Sequence, residues 1–152
     1  MYTKATKASI WSLYLALRLK VPQWFKASTA LEETDYPGFI RWIQSNISGW
    51  YSHPSGYVLV KDRGHIREIH PVFFRLINEQ FLRHSMANTL IEFIRIECPI
   101  INPKGRSMRR MLKKLGFQQE GIMKAKECYF DIESGSEVYL DVELWATVKE
   151  RS

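Results

Sequence analysis

From Glu137 to Val148 the sequence alternates without a break. Val138, Leu140, Val142, Leu144, Ala146 and Val148 fall on one side, and Tyr139, Asp141, Glu143, Trp145 and Thr147 on the other. Successive side chains of a strand point to opposite faces, so this run predicts a long strand with one buried face. A second long strand precedes it, and Glu133-Ser134-Gly135-Ser136 supplies the turn of a hairpin. A sheet is therefore required at the C-terminal end of the chain.

The elements upstream fix the layers around that sheet. Met108, Met111, Leu112 and Leu115 recur at i, i+3, i+4 and i+7, which predicts a helix over Arg106 to Leu115 with one buried face. Gly116 stands where such a helix ends in a left-handed residue. At the other end, Tyr2 to Thr6 reads as a short strand. Ile10, Leu13, Tyr14 and Leu17 predict a helix over Lys7 to Leu19, closed by Pro22. Gln23 to Tyr36 reads as irregular. A second helix starts near Pro37, carries Phe39, Ile40, Ile43 and Ile47, and ends near Gly49. After the turn cluster His53-Pro54-Ser55-Gly56, strands Tyr57 to Lys61 and His65 to His70 form a hairpin across Asp62-Arg63-Gly64, with Pro71 as its stop. A helix over Phe73 to Met86 and a strand over Thr89 to Cys98 complete the order β-α-α-β-β-α-β-α-β-β. This is an α+β fold with a mixed, mostly antiparallel sheet flanked by helices, expected as a single domain over residues 1–152.

Composition narrows the function classes. A chain of 152 residues with 45% hydrophobic and 13% aromatic content can bury a core unaided. Its two cysteines, Cys98 and Cys128, fit a reducing compartment, and its four scattered histidines fit no metal site. No apolar run is long enough to cross a bilayer. Ala8 to Leu17 is flanked by Lys4, Lys7, Arg18 and Lys20 and reads as an amphipathic helix. The expected location is the cytoplasm, without a membrane partner. The formal charge of +6 suits a phosphate-rich ligand, an acidic protein or nucleic acid. No aromatic RNA-binding signature or helix-turn-helix pattern accompanies it, so a nucleic-acid partner rests on charge alone.

The stretch Arg109-Arg110-Met111-Leu112-Lys113-Lys114-Leu115-Gly116-Phe117-Gln118-Gln119-Glu120-Gly121 resembles the last helix and following strand of the GNAT N-acetyltransferase superfamily. There, a basic helix ends in K-L-G-F and a long hairpin follows an E-G pair. The order of elements is similar over most of the chain, and the short pattern also resembles small GNAT-like proteins of bacteriophages. The resemblance implies acetyl-CoA as cofactor and an amine as acceptor. It places Arg75 and Asn78 in the pyrophosphate loop and Arg106 and Arg109 near the 3′-phosphate, with Ser107 a further cofactor-binding residue. The sequence departs from the family pattern at three points. Asn78 and Gln80 stand where the loop has glycines, Leu112 stands where many members carry a proton-donating Tyr, and Gly105 stands where an Asn is usual.

Transfer of an acyl group to an amine needs a base for the amine proton. Glu68 and His70, two residues apart on one strand, share a face and are the candidate catalytic pair. The alternative is structural, with Glu68 paired to Arg67 or Lys61 and His70 capping a turn. Glu92 is a further candidate base. Three functions follow. The first is an acyl-CoA-dependent N-acetyltransferase acting on an amine of a protein or small molecule. The second is an inactive GNAT-like scaffold that binds a protein, in the host cytoplasm if the chain is viral. The third is a basic nucleic-acid binder.

Overall fold

The computed structural model describes residues 2–74, 78–86, 93–99 and 104–148. Its centre is a seven-stranded sheet in the order β1-β2-β3-β4-β5-β7-β6. The strands are β1 (Tyr2–Lys4), β2 (Gly49–His53), β3 (Gly56–Arg63), β4 (Ile66–Phe73), β5 (Phe93–Pro99), β6 (Gln118–Asp131) and β7 (Ser136–Val148). All neighbours are antiparallel except β4 and β5. The helices are α1 (Lys7–Lys20), α2 (Tyr36–Asn46), α3 (Glu79–Met86) and α4 (Lys104–Lys114). The mixed, mostly antiparallel architecture is the expected one, and the sheet holds one strand more than the sequence reading placed. Gly49 opens that strand, β2, instead of closing a helix.

Local chemistry explains the boundaries. Thr6 and Ser9 cap α1 reciprocally: Ser9 N–H donates to Thr6 Oγ1 at 3.3 Å and Thr6 N–H to Ser9 Oγ at 2.9 Å. Asp35 caps α2 by accepting Gly38 N–H at 2.9 Å, with Pro37 in the first turn. Between α1 and α2 the segment read as irregular contains a five-residue π-helix, Phe25–Thr29, that approaches β6. At the end of α4, Gly116 adopts φ +88°. Its N–H reaches Lys113 O at 3.1 Å, and Phe117 N–H reaches Leu112 O at 2.9 Å. Those two bonds form a Schellman cap, with Phe117 and Leu112 buried in one cluster beneath it.

Pro71 does not stop β4, which continues to Phe73. The β3–β4 turn is Gly64-His65, and Arg63 pairs with Ile66. Phe74 N–H donates to Ser55 O at 2.9 Å. Even-numbered residues of β4 therefore bond to β3, while Ile69, Pro71 and Phe73 turn their backbone toward β5. The β4–β5 ladder ends at Ile69–Ile96, so the missing N–H of Pro71 interrupts no pairing. This extended stretch also displaces the following helix. The chain enters α3 at Glu79, six residues beyond the expected start at Phe73.

Both faces of the sheet are covered, by different helices. Ile10, Leu13, Leu17, Phe39 and Ile43 of α1 and α2 pack on Trp50, Leu59 and Val72. On the opposite face, Leu82 of α3 and Leu112 of α4 pack with Val58, Val60, Ile69, Ile96 and Trp145. Beneath α4, β7 is thus buried on the side that carries Glu143 and Trp145 as well as on the Val142 side. Alternation alone indicated one buried face. The α4 layer buries the second.

Candidate functional site

The site lies where β4 and β5 part. The last paired residues are Ile69 and Ile96, so His70–Phe73 on one strand and Glu97–Pro99 on the other run on without each other. The cluster under α1 and α2 draws its strand residues from β2, β3 and β4. Beyond it, a cavity of about 160 Å3 opens, lined by Glu68, Ile69, His70, Arg95, Met123 and Leu144.

Glu68 and His70 reach this cavity because residues two apart on β4 share a face. Glu68 Oε2 lies 4.0 Å from His70 Nε2, and Glu68 Oε1 lies 3.7 Å from Arg63 Nε. Both side chains are about one-third exposed, Glu68 at 30% and His70 at 35%, so they meet solvent and any entering solute. The structural alternative for Glu68 does not hold as stated. Arg67 points through the sheet to the other face and binds Asp62, and Lys61 Nζ donates to Ser45 O at 3.1 Å.

Arg95 stands opposite Glu68 in the parallel register. Its Nε lies 3.3 Å from Glu120 Oε2, and both side chains are 40% exposed. Glu120 occupies the register shift between Gln119 and Gly121, a bulge that brings an extra residue of β6 into reach of Arg95. The sequence reading missed Arg95 and Glu120. The available signal was a lone cation inside the apolar run Phe93-Ile94-Arg95-Ile96. For the bulge the local signal was Gly121, a glycine inside the strand run, and the register shift falls beside it.

The cofactor residues inferred by resemblance are dispersed differently. Arg75 lies outside the described residues, as does the candidate base Glu92. Asn78 Oδ1 accepts Phe81 N–H at 2.9 Å and so caps α3. Next to it, Glu79 binds Lys114 Nζ at 2.9 Å and Arg83 Nη2 at 3.0 Å. The hydrogen bond from Lys114, then that from Arg83, holds the Glu79 carboxyl below the usual carboxylate range. Two cations thus offset the carboxylate at the α3 N-terminus. Arg106 and Ser107 sit in the first turn of α4. Arg109 Nε donates to Glu143 Oε1 at 2.7 Å, and Trp145 Nε1 donates to the same oxygen at 3.3 Å. Leu112 is fully buried and offers no proton donor.

Beyond Ile69 the β5-facing backbone of β4 runs on past the end of the β4–β5 ladder. The N–H of Phe73 and the C=O groups of Pro71 and Phe73 are directed that way. The start of α3, with Lys114 and Arg83 beside Glu79, joins a helix N-terminus to a cluster of cations. Among the described residues, no group of three or more His, Cys, Asp or Glu could hold a metal, and no helix is long and apolar enough to cross a membrane.

No family model and no curated protein matches the sequence. Solved structures do match its fold. A GNAT-family acetyltransferase from Streptococcus pneumoniae aligns with TM-score 0.61 and 17% identity, over 98% of this chain and 99% of that one. A ribosomal-protein-alanine N-acetyltransferase from Brucella melitensis aligns with TM-score 0.63 and 15% identity, over 98% and 99%. The Salmonella typhimurium protein yncA, solved with its cofactor acetyl-CoA, aligns with TM-score 0.61 and 14% identity, over 100% and 95%. At these identities the likeness defines the fold: the chain has the GNAT acetyltransferase fold.

Proposed function

We propose that the protein is an acyl-CoA-dependent N-acetyltransferase whose acceptor amine enters the cavity beside Glu68 and His70. One observation carries the reading. The two side chains chosen as base candidates line a cavity at the point where β4 and β5 separate. When bound, acyl-CoA would supply an activated thioester. Its extended arm would lie along the β4 edge at Pro71 and Phe73. Arg75, Asn78, Arg106, Ser107 and Arg109 are proposed to hold its phosphates, with Lys114 and Arg83 adding positive charge.

Glu68 acts on the acceptor. Its carboxylate accepts the proton of the incoming ammonium, directly or through one water, and His70 relays that proton toward solvent. Bound acyl-CoA would supply the acyl carbon to the freed amine nitrogen, with CoA leaving as the thiol that takes up the second proton of the nitrogen. Proximity in the gap supplies much of the acceleration, which is compatible with the absence of a Tyr at Leu112.

Leu112 also favours a second reading. With that position sealed in the core, the leaving thiolate has no acid there. A GNAT-like scaffold that binds a protein partner instead, a host protein if the chain is viral, would share this fold. Calorimetric titration with acetyl-CoA and CoA separates the two. Saturable micromolar binding supports the transferase. No heat and no thermal shift at millimolar cofactor would leave the scaffold.

A further inference from the structure

We infer that the acceptor is a free α-amino acid with an apolar side chain, recognised as a zwitterion by Glu68 and Arg95. The inference deepens the transferase reading and rests on it for the chemical step, though not for binding.

Three features of the cavity carry it. First, its two strongest charges have opposite sign and stand side by side. Glu68 and Arg95 are register partners on β4 and β5 and both line the cavity. Neither neutralises the other, because the ion pair of Glu68 runs to Arg63, with the His70 ring alongside at 4.0 Å, while that of Arg95 runs to Glu120. An anionic and a cationic group are thus presented together, as an ammonium and a carboxylate on one carbon require.

Second, the Arg95–Glu120 contact yields readily to an entering carboxylate. It is a single contact from Nε at 3.3 Å with both side chains 40% exposed. Such solvent-screened pairs contribute little. A guanidinium has five donors in a planar fork, so a substrate carboxylate can bind it in bidentate fashion.

Third, apart from His70 the remaining lining is apolar and small. Met123 and Leu144 are the side chains of β6 and β7 on the cavity wall, next to the charges. A thioether and an isobutyl group suit an aliphatic side chain. The volume of about 160 Å3 is well below the roughly 300–1,000 Å3 of sites for drug-sized ligands. An amino acid fits this scale. The N-terminal residue of a protein has the ammonium but lacks the α-carboxylate, so it leaves Arg95 without a role.

Calorimetric titration of the full chain without cofactor tests this. The probes are L-leucine, L-leucinamide, which lacks the carboxylate, and 4-methylpentanoate, which lacks the amine. Leucine should bind saturably, and each analogue at least about tenfold more weakly. Arg95→Gln should lower leucine affinity to that of leucinamide and leave leucinamide unchanged. Glu68→Gln should do the same relative to 4-methylpentanoate. Unfolding midpoints matched to wild type would show that these exposed substitutions leave the fold intact. Equal affinity for leucine and leucinamide, or no binding of leucine, overturns the inference. A parallel acetyl-CoA titration keeps the outcomes apart. Cofactor binding without leucine binding removes the amino acid alone, and leucine binding without cofactor binding removes the transferase reading.

Discussion

Arg67 grips both carboxylate oxygens of Asp62, with Nε to Oδ1 at 2.7 Å and Nη2 to Oδ2 at 2.9 Å. Its remaining arm, Nη1, donates to Tyr51 Oη and to Ser85 O, each at 3.1 Å. One guanidinium, 2% exposed, therefore ties β2, β3 and β4 to the last turn of α3. There its charge also meets the negative end of the helix. The Asp62 hydrogen bond is the main reason the Arg67 pKa is raised, so the group stays charged throughout the working range of the protein.

Asp62→Asn should destabilise the fold by about 3–5 kcal/mol, because it leaves a buried guanidinium uncompensated. Arg67→Lys should not rescue stability, since an ammonium cannot reproduce the fork. Urea denaturation followed by circular dichroism measures both. A loss under about 1 kcal/mol for Asp62→Asn would contradict the reading.

Two glycines should respond differently to alanine. At Gly116 an added Cβ meets only Thr147 Oγ1 at 3.9 Å, so the cost is that of the left-handed backbone, about 1–2 kcal/mol. At Gly56 the Cβ would stand 2.1 Å from Val72 O on the paired strand. Backbone must move there, and the β3–β4 pairing beside the site moves with it. Gly56→Ala should lower the thermal midpoint far more than Gly116→Ala, and equal shifts would refute the contrast.

Glu79 makes stability depend on acid. Its folded pKa is lowered, so its contribution is present above the ordinary carboxylate range and is lost as pH falls through the folded value. The thermal midpoint of wild type should exceed that of Glu79→Gln by a constant margin above about pH 5. The margin should close on further acidification and shrink in high salt. A margin that widened in acid would reverse the assignment.

If Glu68 is the base, Glu68→Gln should lower kcat by about 100-fold or more with little change in KM for acetyl-CoA. His70→Asn should have a smaller effect on kcat, because His70 only relays the proton. Neither side chain is buried, so unfolding midpoints should match wild type. A Glu68→Gln enzyme with full kcat would remove the carboxylate from the mechanism.

The sequence by itself determined the elements whose signals are local. Helix α1 follows from its apolar spacing, the end of α4 from Gly116, and β6–β7 from alternation and a turn cluster. It also placed Glu68 and His70 on one face, since that needs only the two-residue period of a strand. Tertiary structure decided the rest. Strand β2 was hidden because Gly49-Trp50-Tyr51 is buried without alternating, and its neighbours β1 and β3 are what hold it in the sheet. Pro71 stays within β4 because its missing N–H falls on the side where pairing has ended, a fact of register between distant strands. Arg67 turned away from Glu68 for the same reason of parity and found Asp62 across the hairpin. Arg95 and Glu120, 25 positions apart, meet only because β5 and β6 flank β7 and a bulge adds one residue. Spacing along a chain reports faces and caps. Which charges meet across a sheet depends on strand order and register, and those are fixed by packing on both of its faces.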